Sequence, residues 1–202
     1  MIKYKKFKRL SDFVLSLLLT VIFTPIILLI IIITLLDDFG NPIYFGDRVG
    51  LKGKVFKIIK IRSMYINSEW QSGTTAKDDK RITSFGKIIR KIKFDELTNL
   101  INIIKGDMSF VGPRPEIKEY VDLYSAEEKK ILTVRPGITD YASIKFISLD
   151  EIVGKNDAHD EYLKKVFKEK NQLRLKYVNN MNLQTDIFLL VQTIISLFKK
   201  FL

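Results

Sequence analysis

The feature that most constrains this chain is an apolar run near its N-terminus. From Phe13 to Leu36, "FVLSLLLTVIFTPIILLIIIITLL", there is no charged residue. A helix needs roughly 18 such residues to cross a bilayer, so the run is a membrane-helix candidate. It is too long for a signal peptide, and no small-residue cleavage site follows it. The chain therefore divides into 1–36, a basic tail with a membrane segment, and 37–202, long enough for one ordinary domain with its own core.

Pro25 splits the run. The stretch Phe13–Thr24 rises about 18 Å as helix, little more than one leaflet of a roughly 30 Å hydrocarbon core. Two geometries are open: a kinked helix that spans the bilayer, or one that bends at Pro25 and returns to the face it entered. Kinked spanning helices are common and favour the first. The charges favour the second. Lys3, Lys5, Lys6, Lys8 and Arg9 precede the run, and Lys52, Lys54, Lys57, Lys60 and Arg62 follow it. The positive-inside rule would keep both flanks inside, and re-entry satisfies both, but on the residues alone the spanning helix stays the favoured geometry.

A net charge of +11 calls for an acidic partner: nucleic acid, an anionic lipid surface or a phosphorylated substrate. The absence of cysteine removes disulfides, thiolate chemistry and thiolate metal sites. His159 is the only histidine, which excludes a multi-histidine metal site, and its polar surroundings read as surface.

Beyond the run, "IYFGDRVGLKGKVFKIIKIRSM" reads as two short strands joined near Gly50 to Gly53. Residues 67–80 read as an exposed loop and "SFGKIIRKIK" as a short basic helix. Leu97, Leu100, Ile101 and Ile104 share a helical face that ends at Gly106. "VGPRPE" is a stiff loop and 117–132 another helix. The last segment places Ile187, Leu190, Val191, Ile194, Ile195 and Phe198 on one face, suited to the core or to a membrane interface.

The chemistry concentrates in "FDELTNLINIIKGDMSFVGPRPE", residues 94–116. Adjacent carboxylates Asp95 and Glu96 fit the first turn of a helix, where unpaired N–H groups favour negative charge. Cations surround them in sequence: Arg90 lies among Lys87, Lys91 and Lys93, and Arg114 sits in a Pro-Arg-Pro frame that pre-organises its guanidinium for phosphate. Lys60 and Arg62 alternate on a strand and project to one side. A carboxylate kept ionised there can attack phosphorus, and its neighbour can hold a divalent metal. There is no dinucleotide fingerprint, no P-loop and no Asp-x-Asp pair.

With "KRLSDFVLS", "GDRVGLKGKVFKIIKIRSM", "VRPGIT" and "YVNNMNLQTDIFLLVQTI", these blocks make the chain resemble the bacterial sugar transferase family, the monotopic polyprenyl-phosphate phosphoglycosyl transferases. The resemblance implies a small, mostly helical α+β membrane-associated domain. It would carry a short β-hairpin, interfacial amphipathic helices and an N-terminal re-entrant helix broken at Thr24-Pro25, where the family has Ser-Pro. It implies Asp95 as nucleophile, Glu96 as the acid associated with Mg2+, and Arg90 and Arg114 as phosphate binders beside Lys60 and Arg62. It implies transfer of a sugar 1-phosphate from a UDP-sugar to polyprenyl phosphate on the cytoplasmic face of the bacterial inner membrane. The partners are then those substrates and membrane lipids, with no nucleic acid and with a homodimer left open. The chain departs from the family at Phe94, Thr98 and Asn99, and again at Asp140, Tyr141, Ala142 and Ser143, beside the expected sugar pocket. The alternative from another class is a membrane-anchored basic binding protein for anionic lipid or nucleic acid, without catalysis.

Overall fold

The computed structural model describes residues 2–66, 79–149, 152, 154 and 158–201, so the expected loop 67–80 falls almost wholly outside the described residues. Helix α1 runs Ile2–Asp37 with Pro25 inside it. The expected break is therefore corrected: this is one helix, not two. Proline removes a single donor, the one that would reach the Val21 carbonyl, and the turns on either side persist. Thr24 Oγ1 donates to the Thr20 carbonyl at 2.6 Å and Thr20 Oγ1 to that of Ser16 at 2.7 Å, back-bonds that bend a helix without interrupting it.

A narrow stripe of α1 faces the rest of the protein. Asp12, Ser16, Ile30 and Thr34 are buried and Leu19, Phe23 and Ile27 half-buried, at steps of three or four. Leu18, Val21, Ile22, Leu29 and Ile32 on the other sides are exposed. The protein-facing stripe is thus less apolar than the outward faces, the reverse of a soluble amphipathic helix. Both ends are tied down. Arg9 donates to the carbonyls of Ile103 and Ile104, and Tyr4 Oη and Lys8 Nζ donate to Asp186. At the far end the Phe85 amide donates to Asp37 at 3.2 Å.

Strands β1 (Ile43–Val49) and β2 (Val55–Ile61) form the expected antiparallel hairpin, Ile43 opposite Ile61 and Val49 opposite Val55. Helix α2 (Ser84–Lys91) is N-capped by Thr83, which accepts from the Gly86 amide. Helix α3 (Asn99–Lys105) ends at Gly106 in the left-handed region, φ 88°. Its buried face is Asn99, Leu100, Asn102 and Ile103 rather than the expected one, and Ile101 is exposed. The shift has a polar cause. Asn102 Oδ1 accepts from the Ile59 amide at 3.0 Å, Asn102 Nδ2 donates to the Lys57 carbonyl at 2.8 Å, and Thr98 Oγ1 donates to the Ile59 carbonyl at 2.8 Å. Side chains of α3 and its approach thus complete the free edge of β2 as a third strand would.

Strands β3 (Ser109–Val111) and β4 (Gly137–Thr139) pair in parallel, a contact absent from the sequence reading. Gly137 permits it, because a Cβ there would lie 2.1 Å from the Gly112 nitrogen. The expected helix 117–132 is two pieces, α4 (Lys118–Val121) and a 3-10 segment Glu128–Thr133. Helix α5 (Tyr141–Lys145) follows. Then come α6 (Ala158–Tyr162) and α7 (Lys168–Asn179), joined by a π turn, and α8 (Leu183–Phe201). In α8, Asp186 and Leu189 face the protein, while Ile187, Val191, Ile194, Ile195 and Phe198 are exposed. Of the foreseen apolar face, Leu190 packs against the core with Leu189 and Tyr177, and the rest stays exposed.

Candidate active site

The two carboxylates lie one step before α3. Lys93 adopts a left-handed conformation (φ 61°) and turns the chain into a 3-10 turn, Phe94–Glu96, which buries both acids. This corrects their expected place in the first turn of α3: Leu97 and Thr98 intervene. Thr98 fastens the turn to β2, and Lys60, one residue along from Ile59, comes within reach of Glu96. Lys60 Nζ donates to Glu96 Oε1 at 2.8 Å, and Arg114 Nη2 donates to the same oxygen. Arg114 also donates from Nη1 to the Ile138 carbonyl at 3.0 Å, so the β3–β4 pair aims the guanidinium.

The neighbouring acids are pushed apart. Burial would raise Glu96, but Arg114 and Lys60 outweigh it and hold the carboxyl well below its ordinary value. Burial raises Asp95 above its ordinary value, with the Glu96 charge adding to it, against Lys60, Arg90 and Lys93. Asp95 Oδ1 is buried without a hydrogen-bond partner among the described residues. A carboxylate oxygen kept out of water and unpaired beside a clamped neighbour is costly, and such oxygens are reactive. The pair fits a small hard cation that takes one or two carboxylates and fills its remaining positions with water or substrate oxygens. Glu96 Oε1 is already committed, so Glu96 Oε2 is the oxygen for it, with Asp95 alongside. Among the described residues no cluster of three acids or histidines offers a closed site.

Both acids open into a cleft of about 1140 Å³. Its walls bring together Lys60, Arg90, Lys93 and Arg114, as the sequence suggested. Arg90 Nη1 lies 3.3 Å from Ser63 Oγ. Arg62 also borders the cleft, but its guanidinium donates to both the side chain and the backbone carbonyl of Asp38, just past the end of α1. It also binds the orphan end of a helix, so in this arrangement it is tied to Asp38 at the border of the cleft.

A second buried cluster escaped the sequence reading. Glu116 Oε1 accepts from Tyr162 Oη at 2.8 Å, Lys170 Nζ at 3.0 Å and Arg174 Nη2 at 2.5 Å. Burial, against Glu116, pushes Lys170 down to about 8. Two signals were available. Glu116 lies two residues after Arg114 in an extended frame, hence on the same side, and Lys170 and Arg174 lie four apart on a helix. Asp140 is buried as the N-cap of α5, accepting from the Ser143 amide at 2.6 Å and the Arg114 amide at 3.3 Å. His159 is half-buried, not a plain surface residue: its Nδ1 lies 3.0 Å from Tyr120 Oη.

The model of the family described as bacterial sugar transferase matches residues 3–200. The chain belongs to the bacterial sugar transferase family. Within it, the chain is 32% identical over 203 residues to the exopolysaccharide production protein ExoY of Sinorhizobium fredii, covering 93% of this chain and 83% of that one. It is 35% identical over 188 residues to the uncharacterized sugar transferase EpsL of Bacillus subtilis, covering 93% and 85%. It is 34% identical over 202 residues to the undecaprenyl-phosphate galactose phosphotransferase of Salmonella typhimurium, covering 92% of this chain but 39% of that longer protein.

Proposed function

We propose that this sugar transferase moves a sugar 1-phosphate from a UDP-sugar to polyprenyl phosphate, with Asp95 as the nucleophile. The observation that carries the reading is the unpaired, buried Asp95 oxygen beside a Glu96 already held by Lys60 and Arg114. An Asp95 oxygen attacks the β-phosphorus of the donor. The bond from that phosphorus to the bridging oxygen breaks and UMP leaves with the electron pair. An oxygen of polyprenyl phosphate then attacks the same phosphorus, the bond to Asp95 breaks, and the carboxylate returns with a lipid-linked diphosphate sugar as product. Arg114, Arg90 and Lys60 hold and neutralise the phosphoryl oxygens, and Glu96 keeps Arg114 in register. Magnesium, held by Asp95 and Glu96 with the donor's own oxygens, would add positive charge on the transferring phosphoryl group.

The membrane part of the reading places the catalytic domain on the cytoplasmic face of the bacterial inner membrane, with α1 re-entrant. It is supported by the two anchored ends of α1. A spanning helix would carry one flank about 30 Å from the other across the hydrocarbon, yet Arg9 and Asp37 both bond to the same domain. The test is UMP release from a UDP-sugar panel in the presence of polyprenyl phosphate. Intact-mass analysis without acceptor should show the protein heavier by one phosphosugar, and Asp95→Asn should show neither. Salt-sensitive binding of vesicles or nucleic acid with no UMP from any donor would replace this reading with the non-catalytic one.

A further inference from the structure

The cleft has three differently built arms around the dyad. Toward α2 it is basic, with Lys87, Arg90 and Lys91. Toward α1 and α8 it is apolar, with Leu19, Phe23, Ile138 and Leu197. Toward α6 and α7 it is polar and of mixed charge, with Glu116 set between Lys170 and Arg174, Asp140 acting on both cations, and Tyr162 alongside. A UDP-sugar and a lipid phosphate meeting at Asp95 have three tails of matching chemistry. The nucleoside end adds a second phosphate and suits the basic arm. The lipid suits the apolar arm, which leaves the uncharged sugar for the third.

The third arm carries the groups that a sugar hydroxyl needs. Lys170 Nζ uses two of its three N–H donors, on Glu116 Oε1 at 3.0 Å and Tyr162 Oη at 3.1 Å, while its ammonium sits 4.8 Å from the Tyr162 ring centroid. All three bonds to Glu116 fall on Oε1, which leaves Oε2 without a hydrogen-bond donor among the described residues. Side chains of both residues reach the cleft with about a tenth of their surface, 10% for Lys170 and 12% for Glu116. A hydroxyl both donates and accepts, so it can give its proton to Glu116 Oε2 and take one from Lys170. A phosphate would meet the carboxylate with like charge.

We propose that Glu116 and Lys170 are specificity-determining residues that read a hydroxyl of the donor's sugar. The inference rests on the donor reading above and goes beyond it by assigning the sugar subsite to one side of the cleft. It is tested on full-length protein carrying Asp95→Asn, which holds donor without turnover. The probes are UDP and a panel of UDP-galactose, UDP-glucose and their N-acetylamino counterparts, with calorimetry as the readout. Lys170→Met should lower affinity for the preferred UDP-sugar about tenfold, as for one charge-assisted hydrogen bond, and leave UDP within about twofold. Lys170→Arg keeps the charge and the melting temperature but cannot keep both bonds and reach the hydroxyl, so it too should lose most of the sugar increment. Deoxy donors should show one position to which the starting protein responds and Lys170→Met does not. Equal losses for UDP and UDP-sugar, a folded Lys170→Arg protein with the full increment, or no sugar bound better than UDP would each overturn the assignment. Failure of the donor reading is separate: it is absence of UMP release with Asp95 intact.

Discussion

Replacing Asp95 by asparagine should abolish turnover and make the protein more stable. The side chain is buried, 6% exposed, and Oδ1 has no hydrogen-bond partner among the described residues. Leaving such an oxygen buried costs about 1–3 kcal/mol, more when charged. The attraction of Lys60, Arg90 and Lys93 works against that cost, but the carboxyl still sits above its ordinary value, so burial and the Glu96 charge prevail. The neutral isostere escapes the part of that penalty that belongs to the charge. With about 2–4 °C per kcal/mol for a chain of this size, the apparent melting temperature above that raised value should rise by at most about 2–12 °C. The sign follows from linkage. The native state holds the Asp95 proton more tightly than the unfolded chain, so stability falls as pH rises from the unfolded value through the raised native one. The full cost is present only above that raised native value. The advantage of the variant should shrink as pH drops through that window, because the native enzyme then becomes neutral there too. Thermal unfolding in one detergent across pH, paired with UMP release, reads both halves. A variant that melts at or below the native protein at a pH above that raised value would mean that Asp95 is well paired, and the reasoning from its unpaired oxygen would fail.

Glu96→Gln should lower kcat severely and change the magnesium dependence, so a magnesium titration indistinguishable from wild type would place the metal elsewhere. Arg114→Lys should be nearly as damaging as Arg114→Ala, since a point charge cannot reproduce the planar fork that reaches Glu96 and the Ile138 carbonyl from separate nitrogens; normal kinetics for the lysine variant would make Arg114 structural. Lys170 sits at about 8, so affinity for the sugar part of the donor should fall as pH rises through 8, and Lys170→Met should show no such inflection. Its share of folding stability moves oppositely, rising from pH 8 to the unfolded value of about 10.4, because the neutral amine is the better buried form. Single cysteines at Lys5 and Lys52 in this cysteine-free chain should both resist an impermeant thiol reagent in intact cells. Ready labelling at Lys52→Cys alone would restore a spanning helix.

The features legible in the sequence were those with a local cause. The hairpin followed from β-branched residues between glycines, α2 from its polar start, and the end of α3 from Gly106. The dyad stood out because cations flank it within a short stretch. What stayed hidden depends on partners distant in the chain. Asn102 turned α3 onto a different face because β2 had an edge to satisfy, and helical periodicity weighs only apolar residues. Arg62 matched the alternation of Lys60, but the sequence did not show that α1 would end beside it with Asp38. The Glu116 cluster required α7 to fold back over the Pro-Arg-Pro frame, 54 residues away at Lys170.

The stripe of α1 that touches the enzyme makes the anchor something other than a tether. Ile30 belongs to the same core as Ile61 and Ile89, and Leu19 and Phe23 pack on the one containing Ile58, Leu100 and Ile103. A shortened chain begun after the helix in search of a water-soluble enzyme would expose both cores, and a generic hydrophobic leader would lack Asp12, Ser16 and Thr34 at the required steps. The helix sequence therefore meets two demands, apolar side chains on its outer faces and a protein-matched set along one seam. The anchor precedes the rest of the enzyme in the chain, but its seam stays unsatisfied until α8 supplies Asp186 to Tyr4 and Lys8.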